Sequence, residues 1–228
     1  MWLNSLEVAL LGGAICLDRV FLQAMISRPI VAGPIIGVVF SEPLTGLIIG
    51  AFIELLWIDR LPMGLYVPPN DSVAAILATA GTILAGRELG SFPRELIALA
   101  ILLFLPSGLL ARQVDVWIIR TNDRLSQRAE EYARLGDIQG LAREHRYGLV
   151  KVFAGAFFVI FVCLVPGVVI LKWAFPLLPA RALKALLYTY SFIPILGIAV
   201  ALNTIKLRGA VPFFAGIFLV ATLVMGIF

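Results

Sequence analysis

The chain has 228 residues, of which 61% are hydrophobic and only 14% charged, and its mean hydropathy is +1.01. A soluble domain carries roughly 25% charged residues, so this composition cannot cover a water-facing surface and excludes an ordinary soluble enzyme or binding module. The net charge of +4 does not indicate nucleic-acid binding, because the basic residues lie mostly in one loop and at segment ends, as positive-inside sorting places them.

The prediction is an all-α, polytopic integral membrane protein. Leu6 to Ile26 is apolar enough for a first helix, apart from Asp18, Arg19 and Gln23. The opening residues lack a basic n-region and meet Asp18-Arg19 early, so the first apolar stretch is expected to be retained rather than cleaved. Val31 to Ile58 is interrupted by Gly33-Pro34, Gly37, Glu42-Pro43, Gly46 and Gly50. One span needs about 20 residues, so this stretch is too long for one and too short for two, which predicts a helical hairpin or a re-entrant pair. Its two Gly-x-x-x-Gly echoes, Gly33 to Gly37 and Gly46 to Gly50, predict close backbone approach between helices.

Arg60 to Asn70 cannot be a regular helix, because Pro62, Pro68 and Pro69 remove donors and favour extended backbone. Asp71 or Ser72 is expected to cap a helix over Val73 to Gly86, a little short for an upright span. Pro93 and Arg94 open the next helix, which runs to Ile119 with a kink at Pro106-Ser107-Gly108. Residues 120–151 form the one extended polar segment, with a short amphipathic helix and a cytoplasmic placement expected. They divide the chain into an N-terminal membrane half (1–119), a polar cytoplasmic loop (120–151) and a C-terminal membrane half (152–228). Spans are expected over Val152–Leu171, Pro176–Asn203 and Gly209–Phe228. No acidic residue follows Lys151, so the second half reads as scaffold.

Ionisable groups in an apolar segment cost about 2.5–3.5 kcal/mol each on insertion scales, and they mark solute paths when broken backbone accompanies them. By that criterion the candidate solute-binding residues are Glu54, Asn70, Asp71, Gln23, Asp18 and Trp57. A sugar needs several carboxylate or amide acceptors and an aromatic platform, here Trp57 or Tyr66. Glu54 could instead pair with Arg28 or Arg60, Asp18 could form an interfacial pair with Arg19, and Asn70-Asp71-Ser72 could act as a helix cap. Arg28, Pro29, Pro68 and Pro69 read as hinges. His145, among Glu144 and Arg146, reads as a solvated surface residue. Cys16 and Cys163 read as small buried hydrophobes. No HExxH, GxSxG, P-loop or metal-ligand spacing occurs, so no metal, cofactor or catalytic residue is expected.

Ser27–Gly33 (Ser-Arg-Pro-Ile-Val-Ala-Gly), Gly37, Thr45–Glu54 (Thr-Gly-Leu-Ile-Ile-Gly-Ala-Phe-Ile-Glu), Gly64 and Val67–Ser72 (Val-Pro-Pro-Asn-Asp-Ser) together resemble the IIC component of the mannose/fructose/sorbose family of bacterial sugar phosphotransferase systems. Gly197–Asn203 and Val211–Gly216 carry the likeness into the second half. The resemblance implies a multi-pass permease subunit of the bacterial inner (plasma) membrane that binds a hexose and moves it inward by an elevator-like shift. It further implies an oligomeric complex with a IID membrane subunit, and phosphorylation of the sugar by cytoplasmic IIB, charged by IIA. The IIC subunit itself carries no phospho-residue in such systems. Mannose-specific members read Ala-Pro-Asp where this chain reads Pro-Pro-Asn-Asp, which puts Asn70 in the acidic position. Two rival readings stay open at this level: a non-transporting scaffold or sensor that docks a partner on 120–151, and a stand-alone transporter coupled to ions through Glu54 or Asp18.

Overall fold

A computed structural model describes residues 2–60, 66–204 and 209–224, and over these the protein is all-helical. The expectations at Pro62 and Gly64 lie outside the described residues. Helix α1 (Trp2–Leu17) stops well before Ile26. The cause is Asp18, whose Oδ1 accepts from the Ala24 amide at 2.8 Å while its Oδ2 accepts from the Ser27 amide and hydroxyl, each at 3.0 Å. These bonds fold residues 18–28 into a compact loop in which Gln23 and Met25 take left-handed φ of 54° and 62°. Such backbone costs about 1–3 kcal/mol per residue and persists only where its surroundings fix it, here through a buried carboxylate.

Helices α2 (Pro29–Val39) and α3 (Pro43–Leu56) each begin on proline, whose missing N–H is no loss at the first helical position. They are about 17 and 21 Å long, against a hydrocarbon core of about 30 Å. The expected hairpin is therefore present, and its backbones touch. A Cβ at Gly33 would strike the Gly46 carbonyl, one at Gly50 the Pro29 carbonyl, and one at Gly37 would lie 2.6 Å from the Glu42 carbonyl. Arg87 donates to the Phe40 carbonyl and lies over its ring, fixing the hairpin tip.

Helix α4 (Asp71–Leu89) occupies the centre, packed by α1, α2, α3, α5, α6 and α7, and every residue from Ser72 to Gly86 is buried. Its cap is Asn70 rather than Asp71 or Ser72, since Asn70 Oδ1 accepts from the Val73 amide at 3.1 Å. At about 28 Å it is longer than expected. Its charged last turn is stabilised by Arg87 on Phe40 and by Glu88 on Lys172. Small residues let the neighbours close in, and the Phe104 ring lies against both Gly81 of α4 and Gly167 of α7.

Helices α5 (Arg94–Phe104) and α6 (Ser107–Arg134) are separated at Leu105-Pro106, where the kink was expected. Helix α6 and α7 (Ile138–Ala174) form an antiparallel pair about 42 and 56 Å long, more than a bilayer core requires. They continue unbroken through most of 120–151, leaving only the turn Leu135–Asp137, where Asp137 caps α7 by accepting from the Gly140 amide at 2.9 Å. A 3-10 turn (Phe175–Leu177) leads to α8 (Ala180–Thr204) and α9 (Ala210–Val224). Helix α8 packs on α3 and α5, and Gly197 admits Leu55. Exposed apolar side chains on α8 and α9, among them Leu196, Phe213 and Leu219, suit an acyl-chain environment. Among the described residues, four helical segments are long and apolar enough to cross a membrane: Asp71–Leu89, Arg94–Arg134, Ile138–Leu177 and Ala180–Thr204.

Candidate functional site

Two cavities meet at the start of α4, of about 370 and 360 Å³, and Arg19 and Pro68 line both. Each lies within the roughly 300–1,000 Å³ of small-molecule sites. The first is walled by Tyr66, Asn70, Asp115 and Asn122 on a mainly apolar background. The second is walled by Asp18, Gln23, Arg28, Arg60, Asp71 and Ser72. The loop after α1, the irregular residues before α4, and α6 thus supply the polar groups, while the first N–H groups of α4 are already taken by the Pro69 carbonyl, Asp71 Oδ1 and Asn70 Oδ1.

Asn70 is buried and fully engaged. Its Oδ1 caps α4, its amide donates to the Gly108 carbonyl at 2.9 Å, and its Nδ2 donates to Asp115 Oδ2 at 2.9 Å. Asp71 accepts from the Ser72 amide at 2.9 Å and faces Arg19 Nη1 at 3.7 Å. That nitrogen is buried with no hydrogen-bond partner, so the Arg19 guanidinium keeps donor capacity between the cavities. Tyr66 lines the first cavity, and the Arg112 guanidinium lies 5.6 Å from its ring centroid.

Six of the ten residues expected from sequence line a cavity: Asp18, Gln23, Arg28, Pro68, Asn70 and Asp71. Asp18 does not pair with Arg19; its oxygens hold the loop. Glu54 is placed behind the second cavity rather than on its wall. Its Oε1 accepts from Arg28 Nη1 at 2.9 Å, and its Oε2 lies 3.5 Å from the Ile30 amide at the start of α2. Pro29 opens α2 with its carbonyl against Gly50, and Pro69 offers its carbonyl to the Asp71 amide at 3.1 Å. Trp57 packs its ring on Gly108, where a Cβ would lie 2.7 Å away, and lines neither cavity; Tyr66, the other aromatic candidate, lines the first.

Sequence reasoning missed Asp115, Arg112 and the inward role of Arg19. The signal for the first two was available, since Arg112 and Asp115 interrupt the apolar run from Leu96 to Ile119 just as Glu54 interrupts its own.

The chain is similar to the fructose permease IIC component of Bacillus subtilis (strain 168), with 29% identity over 158 residues that cover 65% of this chain and 53% of that protein. It thus spans about half the length of that relative. The mannose-specific EIIC component of the phosphotransferase system of Escherichia coli (strain K12) is 25% identical over 219 residues, covering 94% of this chain and 79% of the other. In fold, the chain is similar to a protein in the cryo-EM structure of the mannose transporter ManYZ with microcin E492, at a TM-score of 0.60 and 21% identity, covering 97% of this chain and 85% of that one. Residues 2–227 match the family described as PTS system sorbose-specific IIC component, and the chain belongs to that family.

Proposed function

We propose that this protein is the sugar-binding permease subunit (IIC) of a phosphoenolpyruvate-dependent phosphotransferase system in a bacterial inner membrane. It binds a hexose and carries it inward for phosphorylation by a cytoplasmic IIB protein charged by IIA, in an oligomeric complex with a IID membrane subunit. The observation that carries this reading is the pair of cavities joined at Arg19, with Asn70 and Asp71 at the N-terminus of the central helix. The half-buried carboxylates of Asp71 and Asp115, a guanidinium with spare donors and the Tyr66 ring are the groups a polyhydroxylated ring requires.

In this reading Asp71, Gln23 and Arg19 contact the sugar, and Asn70 and Asp115 fix the wall between helices. Asp18 holds the loop that presents Gln23. Glu54 acts through Arg28, and Trp57 supports the turn that places residues 66–70. The α2–α3 pair is a re-entrant hairpin, since neither helix reaches across the hydrocarbon, and residues 120–151 form the cytoplasmic element between an N-terminal half (1–119) and a C-terminal half (152–228).

The test is reconstitution of the chain with candidate IID and IIB proteins and a panel of labelled sugars. Asp71→Ala removes an acceptor worth about 1.5–3 kcal/mol, so affinity for the transported sugar falls tenfold or more while the complex stays monodisperse. Unchanged uptake by the variant removes Asp71 from the site. Uptake by the isolated chain that follows a pH gradient and ignores phosphoenolpyruvate replaces the whole reading with an ion-coupled transporter.

A further inference from the structure

Where the α6–α7 pair leaves its apolar zone, Arg120, Arg124 and Arg128 stand at helical spacing on α6 and border a groove of about 400 Å³ with Lys151 of α7. The three arginines are exposed, and none of them enters an ion pair among the described residues. The groove is lined otherwise by Thr121 and Leu125, with no carboxylate on its wall. Lys151 is held in place, donating to the Thr121 carbonyl at 3.3 Å and to Asn122 Oδ1 at 3.2 Å.

We propose that this groove binds the headgroup of an anionic phospholipid. Two observations on the page select a lipid over a soluble anion. The first is level: the apolar run of α6 ends at Ile118-Ile119 and that of α7 begins at Val152, and the Lys151 bonds bring those two boundaries to the same height. A phosphodiester at the edge of the hydrocarbon lies at that height by construction. The second is Trp117, exposed at 62% and one helical turn before Arg120 on the same side of α6. Exposed tryptophan beside basic residues is the side-chain pattern of the headgroup layer. A row of arginines offers forked donors to successive phosphate oxygens, and basic pockets between membrane helices recognise lipid headgroups in this way. Bound there, the lipid ties the projecting α6–α7 hairpin to the membrane surface. The inference is independent of the sugar reading, because the groove shares no lining residue with either cavity.

The full chain, purified in detergent, is exchanged into mixed micelles carrying phosphatidylglycerol or phosphatidylcholine, and retained lipid is measured by native mass spectrometry. The wild type retains phosphatidylglycerol in preference to phosphatidylcholine. Each basic residue near a membrane surface contributes enough that R124Q/R128Q weakens phosphatidylglycerol retention roughly 30-fold. R134Q/R146Q removes the same formal charge away from the groove and keeps the wild-type preference. Equal loss in both variants reduces the effect to diffuse electrostatics and overturns the site. Unchanged retention in R124Q/R128Q also overturns it, as does displacement of the lipid by inorganic phosphate alone, which would make the groove a site for a free anion. Unchanged retention together with weakened binding of purified IIB protein would assign the face to a protein partner instead.

Discussion

Two pairs of sequence-adjacent helices in this protein are built on opposite principles. In α2–α3 the helices are short and meet backbone to backbone through Gly33, Gly37, Gly46 and Gly50, with Arg28 and Glu54 closing the open end and Arg87 holding the tip. In α6–α7 the helices are long and meet through side chains: Ile118 and Val114 on Gly155, Lys151 on Thr121 and Asn122, Tyr132 on Gly140. A backbone contact has no rotamer to adjust, so the first pair tolerates no added atom. A side-chain contact can yield, so the second pair can lengthen and carry charge at its tip. The rigid pair stands behind the second cavity through Arg28, and the adaptable one lines the first with Asp115, Asn122 and Val152 and is longer than a bilayer core requires.

Substitutions at four positions test that contrast, in descending order of effect. Gly46→Val drives a branched side chain into the Gly33 carbonyl, and no neighbouring side chain can move aside. The expected loss exceeds about 4 kcal/mol, seen as failure to recover monodisperse protein. Gly155→Ala in the other pair meets the end of the Ile118 side chain at 2.6 Å, and its cost is about 1–3 kcal/mol, read as a lowered melting temperature in detergent. If the two losses are equal, the contrast is wrong. Glu54→Ala comes next: it leaves Arg28 without its carboxylate and is expected to cost about 2 kcal/mol in thermal unfolding. Glu54→Gln, which keeps one acceptor oxygen for Arg28 but turns an NH2 toward the Ile30 amide, should recover part of that loss. Lys151→Met is the mildest, because the bonds it removes are long and partly exposed, and a melting shift equivalent to about 1 kcal/mol or less is expected.

The hairpin shows how much was legible. Glu42-Pro43 announced its break and the glycine echoes its contact face, because chain interruption and close approach depend on residue type. The end of α1 was not legible. Leu6 to Ile26 is apolar almost throughout, and only the return of Ala24 and Ser27 onto Asp18 stops the helix at Leu17. The site was legible in part for the same reason. Asp18, Gln23, Asn70 and Asp71 stood out as polar groups in apolar sequence and do border the cavities, whereas Glu54, equally conspicuous, is engaged by Arg28.

By itself, the amino-acid sequence determined that this is a helical membrane protein, where most of its helices break, and which side chains are too polar for lipid. Those properties are sums over neighbours in the chain: transfer free energy, proline geometry, the absent Cβ of glycine. Tertiary structure alone decided which polar group meets which. Asn70 finds Asp115, Glu54 finds Arg28 and Arg19 finds Asp71 across long stretches of chain, and a partner that distant is fixed by how the helices pack.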